Sequence, residues 1–142
     1  MKLDKFEPLS DDVMQDLFLV ANIVPGEYFV DLGSGDGRLV AEAQRRGAVT
    51  VGYEIDETLA QQSRRDRAIN VITGDFFDAD MSKFDVIVAC QTILPGTASL
   101  LDKLAKEMKD GARLITIGHT RHAWLPRRIV LSHRQKICVY YK

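Results

Sequence analysis

Apolar residues at Val13, Met14, Leu17, Phe18 and Ala21 recur at intervals of three and four, the period of a helix with one buried stripe. Ser10 precedes them as an N-cap, with Asp11 and Asp12 in the first turn where carboxylates suit the helix dipole, so the pattern predicts a helix to about Ala21. Pro25-Gly26 then turns the chain into a short apolar strand, roughly Tyr28 to Asp31. A glycine-broken turn follows, and from Arg38 a second helix shows Leu39, Val40 and Ala43 on one side and stops at Gly47. The next strand, about Val49 to Tyr53, ends at Glu54. Asp56 caps a charged helix of about Glu57 to Arg67, with too few apolar positions to be buried on more than one side. Asn70 to Thr73 reads as a short strand and Gly74-Asp75-Phe76-Phe77 as its turn. Phe84 to Cys90 is a nearly continuous apolar run, as a central parallel strand covered on both faces requires. Thr97 to Met108 returns to helical spacing, with Leu100, Leu101, Leu104, Ala105 and Met108 inward, and a strand from about Arg113 to Ile117 follows Gly111. Arg128 to Leu131 and Lys136 to Tyr141 alternate as a hairpin closed through Ser132-His133-Arg134. Strands alternating with helices and then a hairpin predict a single α/β domain with a mostly parallel seven-stranded sheet, an antiparallel C-terminal hairpin and helices on both faces.

Composition changes this picture little, but charge placement adds to it. A chain of 142 residues is expected to be one domain, burying about 70% of its unfolded surface around a single core. It divides into an N-terminal arm and helix (1–26) and a core (27–142). The formal charge is 19 − 20 = −1, yet every acidic residue lies at or before Asp110. Arg113, Arg121, Arg127, Arg128, Arg134, Lys136 and Lys142 follow with no carboxylate among them, so the C-terminal segment is basic and suited to acidic partners, RNA included. Cys90 and Cys138 sit in apolar runs without metal spacing, which predicts buried thiols in a reducing compartment. Lys2, Asp4, Lys5 and Glu7 interrupt the place of a signal peptide's apolar run, and no run approaches membrane-spanning length. A soluble, cytoplasmic monomer with no membrane partner is expected. His119-x-x-His122 lacks a third ligand at metal spacing, and with His133 these histidines are expected to be solvated; no metal is expected.

The candidate chemistry lies in Asp31-Leu32-Gly33-Ser34-Gly35-Asp36-Gly37-Arg38, between a predicted strand and a predicted helix. Glycines at alternate positions allow positive φ and bring backbone close to a ligand, and the helix behind offers unpaired N–H groups. A dinucleotide fingerprint is spaced G-x-G-x-x-G. Here the third glycine comes one residue early, and Asp31 stands two residues before the first. That carboxylate would repel a pyrophosphate beside it and suits a ligand with a cationic end, such as the α-ammonium and sulfonium of S-adenosylmethionine. Glu54 lies 54 − 37 = 17 residues beyond Gly37, near the distance at which nucleotide-binding folds place an acid on the ribose hydroxyls, and Ile55 would then lie against the adenine.

The segment closely resembles motif I of the Rossmann-like methyltransferases. The resemblance implies S-adenosylmethionine as cofactor, bound by Asp31, Gly33, Ser34, Gly35, Asp36 and Gly37, with Asp75 and Phe76 meeting the adenine amino group and ring. Cys90, Gln91 and Thr92 then border the transferred methyl at the end of the central strand, with Gln91 and Cys90 as the candidate catalytic residues. The arm Phe6-Glu7-Pro8-Leu9-Ser10, the Leu94-Pro95 turn, Lys103-Leu104, Glu107-Met108-Lys109-Asp110-Gly111, the Trp124-x-Pro126 loop and Val139-Tyr140-Tyr141 resemble, at their spacing, the archaeal and mitochondrial-type protein lysine methyltransferases. Phe6, Ser10 and Asp110 stand where that family has tyrosine, proline and proline. The resemblance implies methyl transfer to a lysine of a protein substrate, with the arm helping to cover the cofactor. Two alternatives remain open: an RNA or small-molecule methyltransferase using the basic tail, and a non-catalytic module that binds S-adenosylmethionine.

Overall fold

The apolar run before Cys90 forms the middle of a sheet whose strands all carry the alternation expected of them. The computed structural model describes residues 8–90, 97–118 and 122–142. In chain order the elements are α1 (Asp11–Ala21), β1 (Tyr28–Leu32), α2 (Arg38–Arg45), β2 (Val49–Glu54), α3 (Glu57–Arg67), β3 (Val71–Thr73), β4 (Val86–Ala89), α4 (Thr97–Glu107), β5 (Arg113–Ile117), β6 (Arg128–Ser132) and β7 (Gln135–Tyr141). They build a seven-stranded sheet in the order β3-β2-β1-β4-β5-β7-β6. Strands β1 to β5 run parallel, and β7 is antiparallel to both β5 and β6. The strand order reverses between β1 and β4, so a crevice opens at their carboxyl ends.

Alternate residues divide the core. Phe29, Val86, Val88, Ile115, Ile137 and Val139 face α1, whose Val13, Leu17, Phe18 and Ala21 are buried against them. Val30, Leu32, Ile87, Leu114 and Tyr140 face α4 through Leu100, Leu101 and Leu104. A smaller cluster of Val40, Ala41, Ala60, Ile69 and Val71 seats α2 and α3.

The ends of α1 are fixed by residues far apart in sequence. Ser10 Oγ accepts the Val13 N–H at 3.3 Å at its start. At its end the Arg113 guanidinium donates to the Ala21 carbonyl at 2.7 Å and pairs with Glu27 at 2.8 Å. Because Arg113 begins β5, α1 runs from the carboxyl ends of the parallel strands to their amino ends, and its N-terminus lies beside the crevice.

The structure differs from the sequence expectation mainly at element ends. Val86–Ala89 is shorter than the apolar run that contains it. The Gly74-Asp75-Phe76-Phe77 turn closes as a single 3-10 turn at Phe76–Asp78. In the hairpin Ser132 pairs with Gln135, so the turn is only His133-Arg134, both with positive φ of 46° and 69°. Two left-handed residues match the twist of the flanking strands, but without Gly or Asn they leave no turn signature in the sequence.

Candidate functional site

The turn after β1 is held from two sides before any ligand is considered. The Tyr53 carbonyl at the end of β2 accepts both the Gly33 and Ser34 N–H groups, at 2.8 and 2.9 Å. Gly33, Gly35 and Gly37 take φ values of 83°, 57° and 84°, which L side chains rarely adopt. Glu54, 8% exposed, reaches back to the loop: Oε1 accepts the Gly35 N–H and Oε2 the Asp56 N–H, each at 2.9 Å. Each oxygen keeps a second acceptor position, so the residue expected to hold ribose hydroxyls also braces the loop.

Asp31 closes the bottom of the crevice. It is 2% exposed, and its Oδ1 and the Ser34 Oγ are buried with no hydrogen-bond partner. Burial first, and then the Glu54 and Asp36 carboxylates, raises the Asp31 pKa well above the usual carboxylate range. Cys90, on the neighbouring strand end, lies on the same side of the sheet. Burial, with a smaller contribution from Asp31, pushes its thiol well up, so it lines the site as a neutral group rather than a nucleophile. Asp31, Ser34 and Cys90 share one cavity with Pro8, Leu9, Arg38 and Leu39. An unpartnered buried carboxyl, an unpartnered hydroxyl and a glycine cradle fit a ligand with a cationic end.

At the carboxyl ends of β2 and β3, the register Glu54↔Thr73 and the bond from the Gly74 N–H to the Glu54 carbonyl bring Glu54, Ile55, Asp75 and Phe76 together. Ile55 is 57% exposed there, an apolar surface without a described cover. Asp75 Oδ1 accepts the Phe77 N–H at 2.9 Å and so caps its own turn, while Phe76 stacks on Phe77 at 5.0 Å. Gln91 and Thr92 lie outside the described residues, as do Phe6, the Leu94-Pro95 turn, His119 and Arg121.

Two expectations are corrected in detail. Asp36 is occupied within the protein: Oδ1 accepts the Arg38 N–H at 3.1 Å, and Arg38 and Arg67 lie 3.4 and 3.8 Å from Oδ2. It anchors the loop to α2 and α3. Arg127 and Arg128 are not at the mouth of the crevice: Arg128 pairs with Val139, which pairs with Ile115, placing it partway down the sheet, and the Arg127 guanidinium lies over the Tyr141 ring at 5.2 Å.

Sequence reasoning missed three residues. A Cβ on Gly52 would lie 2.6 Å from Ser34 Cβ and 3.0 Å from Val40 Cγ2, so only glycine lets the loop pass; a glycine inside a strand was its signal. Arg38 donates to the Leu9 carbonyl and pairs with Asp11 at 3.1 Å, tying the arm to the loop. His122 donates from Nε2 to Asp102 at 2.7 Å and accepts the Trp124 N–H at Nδ1, 2.9 Å away, which holds Trp124 against Tyr140 at 5.1 Å. No cluster of three metal-ligating side chains occurs among the described residues. No helix among them is long and apolar enough to cross a membrane.

Comparison with known proteins gives this geometry a context. Residues 31–128 match the ANTKMT methyltransferase domain. A protein-lysine N-methyltransferase of Saccharolobus islandicus is 26% identical over 135 residues, covering 88% of this chain and 83% of that protein. An ATP synthase lysine N-methyltransferase of Rattus norvegicus is 32% identical over 103 residues, or 68% of this chain; the match spans about half of the rat protein, 48%. Among solved structures, an RNA methyltransferase from Salinibacter ruber in complex with S-adenosyl-L-homocysteine superposes with a TM-score of 0.86 at 27% identity, covering 95% of this chain and 93% of that one.

Proposed function

Because the chain belongs to the ANTKMT methyltransferase domain family, we propose that it transfers the methyl group of S-adenosylmethionine to lysine side chains of proteins. The observation that carries the reading is the unpartnered Asp31 Oδ1, buried at the strand-order reversal beneath the glycine loop. When bound, the cofactor supplies a methyl group already activated on a sulfonium. The protein's task is therefore binding, alignment and exclusion of water.

Asp31 would accept the cationic methionine end, and a positive charge there relieves the burial that holds its proton. Glu54 would take the ribose hydroxyls on its remaining acceptor positions, with Ile55, Asp75 and Phe76 around the adenine. Gly33, Ser34, Gly35 and Gly37 would present backbone to the methionine portion, and Asp36 would act indirectly by holding their conformation. Cys90 and Gln91 would border the methyl, Cys90 as a neutral wall and Gln91 as an acceptor for the incoming amine. A solvated lysine, which titrates near pH 10.4, is neutral at pH 7 at a cost of about 4.6 kcal/mol. Burial and a neighbouring cation both reduce that cost, so no strong base is required. We further take the protein to act as a monomer in the reducing cytoplasm, with Cys90 and Cys138 both free and buried.

The basic C-terminal segment and the name of the Salinibacter ruber relative support RNA as a second substrate class. Incubation with methyl-labelled cofactor and whole-cell protein or RNA separates the readings. Label recovered as methyl-lysine is the expected result. Label in RNA favours the second class, and label in neither despite tight cofactor binding leaves a non-catalytic binding module.

A further inference from the structure

Strand β6 closes one side of the sheet, and no described residue pairs with its outer edge. The two-residue turn makes Ser132 and Gln135 a hydrogen-bonded pair, and alternation then directs Arg128, Val130 and Ser132 toward β7. Two bonds fix the same phase from β7. The Lys136 carbonyl accepts from Gly118 of the β5 side at 2.7 Å, and the Val139 carbonyl accepts from Arg127 at 2.8 Å. The N–H and C=O groups of Ile129 and Leu131 therefore point outward. Their side chains are exposed too, by 51% and 73%. Proteins usually blunt such an edge with an inward charge, a proline or a bulge, and Arg128–Ser132 contains no proline and no carboxylate.

We propose that the outer edge of β6 binds an extended acidic segment of the protein substrate by strand addition, a deepening of the lysine methyltransferase reading on which it rests. The charge around the strand selects the occupant. Arg127, Arg128, Arg134 and Lys136 are all exposed beside it. The nearby acids belong to α1: Asp16 accepts from Ser132 Oγ at 2.6 Å, and Asp12 lies 4.0 Å from His133 Nε2. Both are on the side toward which Val130 packs, leaving the side of Ile129, Leu131 and Lys136 without a described carboxylate. A second copy fits less well. Antiparallel pairing about Val130 sets Arg127 of one copy against the His133-Arg134 turn of the other, and like charges opposite one another are unfavourable. In the order β4-β5-β7-β6 the edge lies three strands from Cys90, about 14 Å at roughly 4.8 Å per strand, so about five extended residues join the docked segment to the acceptor lysine.

The test separates docking from transfer. A labelled peptide of alternating glutamate and valine, without lysine, is titrated into the full chain by fluorescence anisotropy, beside the same peptide with lysine in place of glutamate. Leu131→Pro removes an outward N–H without touching the β7 ladder, and Ile129→Lys blunts the edge electrostatically. Saturable binding of the acidic peptide only, weakened about tenfold or more in both variants while their melting temperatures and cofactor affinity match the parent, is the expected result. The acidic peptide joined by a short glycine–serine linker to a lysine should then show a lower KM than the linker and lysine alone, at equal kcat. Absence of anisotropy change, or equal binding by parent and both variants, overturns the proposal. So does a concentration-dependent dimer in sedimentation that Leu131→Pro abolishes, which assigns the edge to a second copy. Peptide binding without any methyl transfer would instead count against the substrate reading and leave the edge assignment standing.

Discussion

Glu54 Oε1 accepts the Gly35 N–H at 2.9 Å, so the acid expected to hold a ribose also holds the loop that faces the rest of the cofactor. One substitution there should register in two measurements. Glu54→Gln keeps an acceptor but loses charge; Glu54→Ala also leaves the Gly35 and Asp56 N–H groups unpaired. A hydrogen bond to a charged group contributes roughly 1.5 to 3 kcal/mol, so cofactor affinity should fall about tenfold or more in Glu54→Gln. Glu54→Ala should bind more weakly still and melt at a lower temperature. Calorimetric titration with S-adenosylhomocysteine and a thermal scan decide it, and parent-like dissociation constants in both variants would contradict the assignment.

Asp31 should weaken the fold that it equips for binding. Its native pKa is raised by burial, with Glu54 and Asp36 adding to it, so the native state holds this proton more tightly than the unfolded chain does. The sign follows from linkage: Asp31's contribution to stability is fully present below the unfolded value of about 3.9 and is lost as pH rises toward the native pKa. Asp31→Asn keeps the shape without the titration. Denaturant unfolding at pH 5 and pH 8 should therefore show the variant gaining on the parent as pH rises, while its affinity for S-adenosylmethionine falls. A variant less stable than the parent at pH 8 that binds the cofactor equally well would refute the role given to this carboxyl.

Gly52 tests whether the close passage of Ser34 matters. Its φ is not in the left-handed region, so the question is space alone: an added methyl meets Ser34 Cβ at 2.6 Å and Ser34 Oγ at 2.7 Å. Overpacking of this kind costs about 1 to 3 kcal/mol, and the loop is the part free to shift. Gly52→Ala should lower the melting temperature and reduce cofactor affinity together. Equal affinity in a destabilised variant would place the loop's tolerance higher than this packing implies.

Much of this arrangement was legible in the chain because its signals are local. The stripe from Val13 to Ala21, the Ser10 and Asp56 caps and the run before Cys90 each carry their period or cap within a few residues. The glycine spacing with Asp31 placed the candidate site at the end of β1. What stayed hidden depends on distant partners. Asp36 looked like a ligand-facing acid, and only the arrival of Arg67, 31 residues on, shows it to be an anchor. Arg127 and Arg128 looked like a gripping pair because sequence gives charge without position; the β5–β7–β6 register puts them away from the crevice. The His133-Arg134 turn broke no rule of packing but used residues that rarely advertise positive φ.

Arg38 joins the arm to the loop, and magnitudes indicate which of its bonds matters. Its partner Asp11 has a side chain 85% exposed, and an ion pair that open to solvent contributes at most about 1 kcal/mol. The Leu9 carbonyl is different: Leu9 is only 9% exposed, lines the same cavity as Asp31, and presents an acceptor that the guanidinium satisfies. A lysine at 38 could reach one of these partners but not span Leu9, Asp11 and Asp36 as a planar fork does. Arg38→Lys and Arg38→Gln should therefore both speed cofactor dissociation, by about tenfold for a lost charged hydrogen bond of roughly 1.5 kcal/mol, whereas Asp11→Asn should change it little. Stopped-flow displacement of S-adenosylhomocysteine measures the rate directly. An effect of Asp11→Asn as large as that of Arg38→Gln would shift the latch from the Leu9 carbonyl to the surface ion pair, and no effect from either would show that the arm is held without Arg38.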